Sequence, residues 1–106
     1  MDLTQHDWQK KINSDDNAII LDVRTIEEFE TSHIPNSINI DFYNPQNFMQ
    51  EINKLDKELS YYVYCRTGVR SANSCILMSE IGFKKVYNLI GGIIEWNGET
   101  DNINDE

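Results

Sequence analysis

The sequence predicts an α/β domain with a mainly parallel central sheet of about five short strands and helices on both faces. Its 106 residues suit one domain with a single modest core. Short apolar runs alternate with amphipathic segments, as expected where right-handed helical crossovers join parallel strands. Residues 18–23 are almost continuously apolar, which is typical of a strand covered on both faces.

The first helix is predicted by its cap. Thr4 followed by Asp7 resembles a capping box, although Asp replaces the usual Glu. Trp8 and Ile12 form an apolar pair one helical turn apart, so a short amphipathic helix should cover residues 5–12. We expect this helix to cover one edge of the core.

A second capping-box pattern follows the strand at 18–23. Thr25 and Glu28 have the required spacing and predict a helical turn directly after the strand. In the next connection Pro35 fixes φ, and Asn36 tolerates the left-handed conformation that most residues avoid. A short strand is predicted at 37–40.

Asn44 and Pro45 predict the start of a third helix. Asn is a favoured N-cap residue, and Pro is favoured at the first helical position. Phe48, Ile52 and Leu55 recur at i, i+4 and i+7, so one buried stripe should extend to about Leu55.

The second half repeats the alternation of strands and helices. Aromatic and β-branched residues predict a strand at 61–64, and a mixed pattern predicts a helix at 71–81. Gly82 can end that helix, since glycine is common just after a helix C-terminus. A last strand at 84–88 and a terminal helical turn at 93–96 complete the domain.

The charge balance excludes several classes of partner. The chain carries 18 Asp and Glu against 9 Lys and Arg, a formal net charge of −9, which argues against nucleic acids and anionic membranes. A small anion is still possible, because a Debye length of about 8 Å limits its interactions to nearby charges such as Arg66 and Arg70. The sequence has no basic-then-apolar leader and no long apolar run, so we expect a cytoplasmic protein.

The two cysteines and two histidines do not have the spacing of metal ligands. Cys65 and Cys75 should both be reduced thiols. Cys75 has the surroundings of ordinary helix packing, although a resolving role stays open. His33 lies in a proline-containing turn and should make structural hydrogen bonds rather than act as a general base.

The segment after the strand at 61–64 has the features of an anion-binding loop. Cys65 stands where the strand ends, and Gly68 permits the turn into the next helix. A thiolate there would meet successive backbone N–H groups and the positive end of the helix, which can lower a cysteine pKa to about 3.5–7.5. Arg66 is the candidate for binding oxyanions, and Arg70 for bracing the loop against a carboxylate. The candidate substrate-binding residues are Arg66, Thr67, Gly68, Val69, Arg70 and Ser71.

Three segments resemble the rhodanese sulfurtransferase family, in the family's order. The active-site loop is matched by Cys65-Arg66-Thr67-Gly68-Val69-Arg70-Ser71. An upstream signature is matched by Asp22-Val23-Arg24, Glu27-Glu28-Phe29 and His33-Ile34-Pro35. A C-terminal signature is matched by Gly82-Phe83, Val86-Tyr87-Asn88-Leu89, Gly91-Gly92 and Trp96. The resemblance covers residues 1–98 and implies a single three-layer rhodanese-like domain, with 99–106 as an acidic, flexible C-terminal tail.

The resemblance also implies an activity. In the family, the loop cysteine takes a sulfane sulfur from an anionic donor such as thiosulfate and passes it, as a persulfide, to cyanide or a thiol. Cys65 matches that cysteine, so the chain is expected to be an enzyme of the thiosulfate sulfurtransferase type. We expect no cofactor and no metal ion, and the resemblance allows a sulfur-accepting protein as a partner.

Two other classes of function stay open. Cysteine-dependent phosphatases and arsenate reductases use a similar cradle, but they have a longer spacing than the four residues between Cys65 and Arg70. A rhodanese module can also serve as a non-enzymatic adaptor or a sulfur-relay domain, and the sequence does not distinguish this from an enzyme.

Overall fold

The computed structural model of the chain describes residues 1–102 and contains one sheet of five parallel strands. The α/β prediction is confirmed. The strands are β1 (Asp2–Leu3), β2 (Ala18–Asp22), β3 (Ile38–Asn39), β4 (Ser60–Tyr64) and β5 (Lys85–Leu89). Their order in the sheet is β1-β5-β4-β2-β3, so β4 is the middle strand.

The helices are α1 (Gln5–Asn13), α2 (Ile26–Thr31), α3 (Pro45–Ile52) and α4 (Val69–Glu80), with a 3₁₀ turn at Ile93–Glu95. The start of α4 and the end of α3 both differ from the sequence prediction. α4 begins at Val69 rather than at residue 71, because Gly68 takes a φ of 104° and acts as the N-cap. α3 ends at Ile52, and Leu55 lies in the following turn, where its N–H donates to the Ile52 carbonyl.

The edge strand β1 was not among the strands placed from the sequence. Its two residues pair with the end of β5, with Asp2 opposite Asn88 and Leu3 opposite Leu89. A strand of two residues is too short to show a hydrophobic period. Its pairing with β5 is therefore visible only in the tertiary structure.

Each face of the sheet carries its own core. Tyr61 and Val63 of β4 pack with α3 and α4 on one face, whereas Tyr62 and Tyr64 pack with Trp8 of α1 on the other. These five side chains are at most 1% exposed. The tyrosines therefore pack both faces of the sheet, and the buried strand β4 ends at the residue before Cys65.

Residues 99–102, which the sequence assigned to the tail, contact the domain. Asp101 and His33 exchange two backbone hydrogen bonds, 2.7 and 2.9 Å long, as an isolated antiparallel bridge. The Trp96 indole N–H donates to the Glu99 carbonyl. The tail prediction for residues 103–106 falls outside the described part of the chain. Between residues 1 and 102, no helix has the length and apolar character needed to cross a membrane.

Candidate active site

The Cys65 thiol lies inside a ring of hydrogen-bond donors at the carboxyl edge of the sheet. Its Sγ accepts from the Gly68 N–H at 3.1 Å, from the Ser71 N–H at 3.4 Å and from the Ser71 hydroxyl at 3.3 Å. The residue is 1% exposed. The donors come from the first turn of α4 and the loop before it, so they converge on any negative charge carried by Sγ.

These donors favour the thiolate. Burial by itself opposes ionisation, but hydrogen bonds from the Ser71 hydroxyl and from the N–H groups of Ser71, Gly68 and Thr67 outweigh it, so the pKa of Cys65 is lowered. Thiolates are the nucleophilic form of cysteine. The site is therefore built for nucleophilic sulfur chemistry.

The 3₁₀ turn at Ile93–Glu95 braces the cysteine loop from the opposite side. The Ile93 N–H donates to the Cys65 carbonyl at 2.9 Å, and the Ile94 N–H donates to the Arg66 carbonyl at 3.1 Å. Gly92 takes a φ of 62°, and a Cβ there would overlap both carbonyls. The sequence identified the glycine pair 91–92 only as part of the C-terminal segment that resembles the family. Only the folded structure shows that the backbone of the cysteine loop approaches Gly92 closely.

Asn88 is another supporting residue that sequence reasoning missed. It lies at the end of β5, is 4% exposed, and donates from Nδ2 to Asp2 Oδ1 at 3.0 Å and to the Gly68 carbonyl at 3.4 Å. A polar residue near the end of a buried strand was the available signal. Asn88 links the loop that holds Cys65 to the edge strand β1.

Arg70 is held by Glu28, which is the carboxylate contact expected of a bracing arginine. Its two terminal nitrogens donate to the two carboxylate oxygens at 2.8 and 3.0 Å. These hydrogen bonds lower the pKa of Glu28 to about 2, so the pair stays charged throughout the neutral range. Glu28 also accepts from the Thr25 N–H in the predicted capping box, and so connects α2 to the cysteine loop. Any role of Arg70 in substrate binding stays a prediction.

The remaining loop residues line the mouth of the site. Arg66, Thr67 and Val69 are exposed, whereas Gly68 is buried beneath them. A Cβ on Gly68 would come within 3.3 Å of the Leu89 carbonyl, and its φ of 104° also disfavours other residues. Arg66 is thus the loop cation placed to meet an arriving anion, while its binding role remains a prediction.

The contacts of Cys75 and His33 both fit a structural role. Cys75 is 5% exposed in the core between α4 and the sheet, and burial raises the pKa of its thiol to about 12. The His33 Nδ1 lies 2.8 Å from the Phe29 carbonyl, and its ring stacks on the Phe29 ring. Both cysteines are free, and residues 1–102 contain no group of three or more His, Cys, Asp or Glu placed to hold a metal ion.

The thiolate environment predicts a pH profile for alkylation. The rate at Cys65 should rise with pH to a plateau with a midpoint below that of a free thiol, because the lowered pKa makes the thiolate available earlier. Ser71→Ala should shift this midpoint upward by about one pH unit, since a hydrogen bond to a charged group contributes about 1.5–3 kcal/mol. Iodoacetamide labelling followed by peptide mass analysis measures this.

Ser74→Ala is the matched control. Ser74 is also fully buried in α4, but its hydroxyl donates to the Arg70 carbonyl and not to the Cys65 sulfur. It should leave the midpoint unchanged. A wild-type midpoint at or above that of a free thiol would show that the amides do not stabilise the thiolate.

The fold and the site together define a domain in which the sulfur of a buried cysteine is surrounded by hydrogen-bond donors at the edge of a parallel sheet. A family model described as the rhodanese-like domain matches residues 4–99. The chain therefore belongs to the rhodanese family, as the resemblance of its loop suggested.

Curated relatives agree with this assignment. The putative sulfurtransferase YtwF of Bacillus subtilis (strain 168) is 37% identical over 92 residues, which are 87% of this chain and 85% of that protein. Thiosulfate sulfurtransferase GlpE of Coxiella burnetii is 37% identical over 78 residues, 74% of this chain and 70% of that protein. The putative sulfur carrier protein YrkF of Bacillus subtilis is 37% identical over 94 residues. That match covers 89% of this chain, which spans about half (49%) of the carrier protein.

Solved structures show the same fold. The crystal structure of a rhodanese-like domain protein from Staphylococcus aureus superposes with a TM-score of 0.81 at 28% identity. The match covers 95% of this chain and 96% of that one. The strand order and the helical layers described above are thus those of a rhodanese-like domain.

Proposed function

We propose that the protein is a sulfurtransferase in which Cys65 carries the transferred sulfur as a persulfide. The convergence of the Gly68 and Ser71 donors on the Cys65 Sγ carries this proposal. Such donors lower the cost of the negative charge that the sulfur bears before each transfer and regains after it. The names of the relatives, which include sulfurtransferase, thiosulfate sulfurtransferase and sulfur carrier, support the same class of reaction.

In the first step the Cys65 thiolate attacks the sulfane sulfur of an anionic donor such as thiosulfate. A new S–S bond forms to Cys65, the S–S bond of the donor breaks, and its electron pair leaves with sulfite. Arg66 attracts the donor oxyanion at the mouth, because Arg70 is already paired with Glu28. The charge of the persulfide then replaces that of the thiolate inside the ring of amides.

In the second step a nucleophile such as cyanide or a thiolate attacks the outer sulfur of the persulfide. A bond forms between the nucleophile and that sulfur, the bond to Cys65 breaks, and its electron pair returns to Sγ as the thiolate. No other oxidant or reductant is needed. The free state of Cys65 and Cys75 fits a reducing compartment such as the cytoplasm.

Intact mass spectrometry tests the proposal. After incubation with thiosulfate and removal of the excess, the protein should gain the mass of one sulfur atom and lose it again on addition of cyanide. A sulfur-relay module would also load from thiosulfate or another persulfide, but it would turn over slowly with cyanide and rapidly with a partner's thiol. If the protein loads sulfur neither from thiosulfate nor from another persulfide, both the enzyme and the sulfur-relay form of the proposal are contradicted.

Phosphatase activity should be negligible next to sulfur transfer. The backbone amides of the loop contact the Cys65 sulfur itself. Only four residues separate Cys65 from Arg70 in the sequence. Phosphoryl transfer needs donors spread around three equatorial oxygens and an in-line path, so a narrower cradle loses most of its transition-state stabilisation. Aryl-phosphate hydrolysis and thiosulfate:cyanide transfer should be assayed on one preparation. Phosphate turnover that depended on Cys65 and exceeded sulfur transfer would replace this function with a phosphatase.

A further inference from the structure

Exposed apolar side chains gather around the mouth of the active site. Five of the eight large apolar residues that are at least 40% exposed within residues 1–102 lie at the carboxyl edge of the sheet or on the turns that follow it. We call these five residues the collar. They are Ile26, Tyr43, Val69, Ile90 and Ile94.

On one side, the collar contacts the cysteine loop at Arg70. The Tyr43 ring lies under the Arg70 guanidinium, with 4.8 Å between its centroid and the guanidinium carbon, yet 67% of Tyr43 is exposed. Ile26 opens α2, whose Glu28 holds the same guanidinium. Tyr43 therefore contacts the loop that contains Cys65, and Ile26 begins the helix that contacts the same loop.

On the other side, the collar contacts the backbone of the cysteine loop. The Ile94 N–H donates to the Arg66 carbonyl, which places the exposed Ile94 next to the cysteine loop. Ile90 and Val69 line one surface cavity of about 350 Å³ together with Thr67. The apolar residues thus surround the loop on both sides.

A small anionic donor does not need this surface. Thiosulfate and cyanide are strongly hydrated, and their recognition calls for cations and N–H donors rather than isoleucine. Exposed apolar side chains grouped around a functional site are typical of a protein interface, where an apolar centre is surrounded by a polar rim. The collar therefore indicates a macromolecular partner.

Charge further defines that partner. A carboxylate adjoins four members of the collar: Glu27 beside Ile26, Asp41 beside Tyr43, Asp2 beside Ile90 and Glu95 beside Ile94. All six lysines lie at the opposite, amino edge of the sheet, since they end α1 or precede β4 and β5 or begin β5. They are Lys10, Lys11, Lys54, Lys57, Lys84 and Lys85. Arg66 supplies a positive charge at the mouth, but the four carboxylates beside the collar outnumber it. The apolar active-site edge thus has a net negative rim, which complements a basic partner and repels a second copy of this acidic chain.

We propose that the collar docks a basic protein that presents its acceptor cysteine among apolar side chains. This inference rests on the proposed sulfur transfer and specifies its acceptor. The partner's thiolate attacks the outer sulfur of the Cys65 persulfide, an S–S bond forms to the partner, and the electron pair of the broken bond returns to Cys65. Apolar contact with the collar excludes water, and the acidic rim draws the basic surface into place.

Synthetic cysteine peptides serve as probes of the collar. One peptide flanks its cysteine with isoleucine and lysine, a second replaces the isoleucines with serine, and a third replaces the lysines with glutamate. The measurement is the rate of sulfur transfer from thiosulfate-loaded protein, with 2-mercaptoethanol as a small acceptor. The first peptide should react fastest. The Ile26→Ser/Ile90→Ser variant should slow it by about fivefold, as expected from the loss of apolar contact area, and leave the rate with 2-mercaptoethanol unchanged.

Ile76→Ser is the matched control for loss of an exposed isoleucine. Ile76 is 59% exposed, against 46% for Ile26 and 50% for Ile90, but it lies two turns along α4 from the loop. It should change neither rate. Equal rates for the isoleucine and serine peptides, or an unaffected double variant, would overturn the docking role while 2-mercaptoethanol transfer kept the proposed function intact. A dimer in sedimentation that disappears in the double variant would assign the collar to a second copy and overturn the proposal. Absence of any persulfide would overturn the proposed function itself.

Discussion

Replacing Cys65 with serine should abolish sulfur loading and sulfur transfer. Removal of the nucleophile from a covalent catalyst can cost a factor on the order of 10⁶ in turnover, so the rate should fall to that of the uncatalysed reaction. The serine hydroxyl fits the same donors, the N–H groups of Gly68 and Ser71, so the fold should be kept. Intact mass after thiosulfate treatment and thiosulfate:cyanide turnover measure the effect, with circular dichroism as the check on folding.

Cys75→Ser is the control for the loss of a thiol. Cys75 is buried in the core beneath α4, and its raised pKa keeps it protonated at neutral pH. This variant should still load one sulfur atom, although it should lose some stability because a buried hydroxyl is introduced. Loading that survives in Cys65→Ser and disappears in Cys75→Ser would reverse the assignment of the two cysteines.

Replacing Gly92 with alanine should have the largest effect on stability and should also reduce activity. The added Cβ would overlap the carbonyls of Cys65 and Arg66, which are backbone atoms that cannot turn aside. We expect a loss of about 3 kcal/mol or more in the free energy of unfolding, combining a positive-φ penalty with a clash. The cysteine loop would have to move, so the alkylation midpoint of Cys65 should rise as well. Urea denaturation and iodoacetamide labelling measure the two effects.

Gly82→Ala separates the clash from the backbone penalty. Gly82 has a φ of 105°, but the nearest neighbour of an added Cβ is the Lys57 side chain at 3.7 Å, an ordinary contact. This variant should cost only about 1–2 kcal/mol, the left-handed penalty of a non-glycine residue. It should leave the Cys65 midpoint unchanged. Equal losses of stability in the two variants would show that Gly92 is required for its φ alone and not for its close approach to the loop.

Local sequence signals were enough to predict the class of fold and the position of the proposed nucleophile. Apolar runs bounded by caps and glycines are local signals, so α1, α2 and β4 lie close to where the sequence placed them. The Thr25 and Glu28 capping box is a local contact of the same kind. Cys65 was found for the same reason, because a strand that ends on cysteine and turns through glycine into a helix is readable over a few residues.

The tertiary structure alone decided what surrounds that nucleophile. The Ile93 and Ile94 amides and Asn88 reach the loop from 20 to 28 residues along the chain, and Glu28 reaches Arg70 from 42 residues before it. Local propensities do not encode which distant strand ends become neighbours. The parallel strand order β1-β5-β4-β2-β3 determines these neighbours. That order brings the turns after β2, β3 and β5 to one edge of the sheet. It thereby braces the loop around Cys65 and places the apolar collar at its mouth.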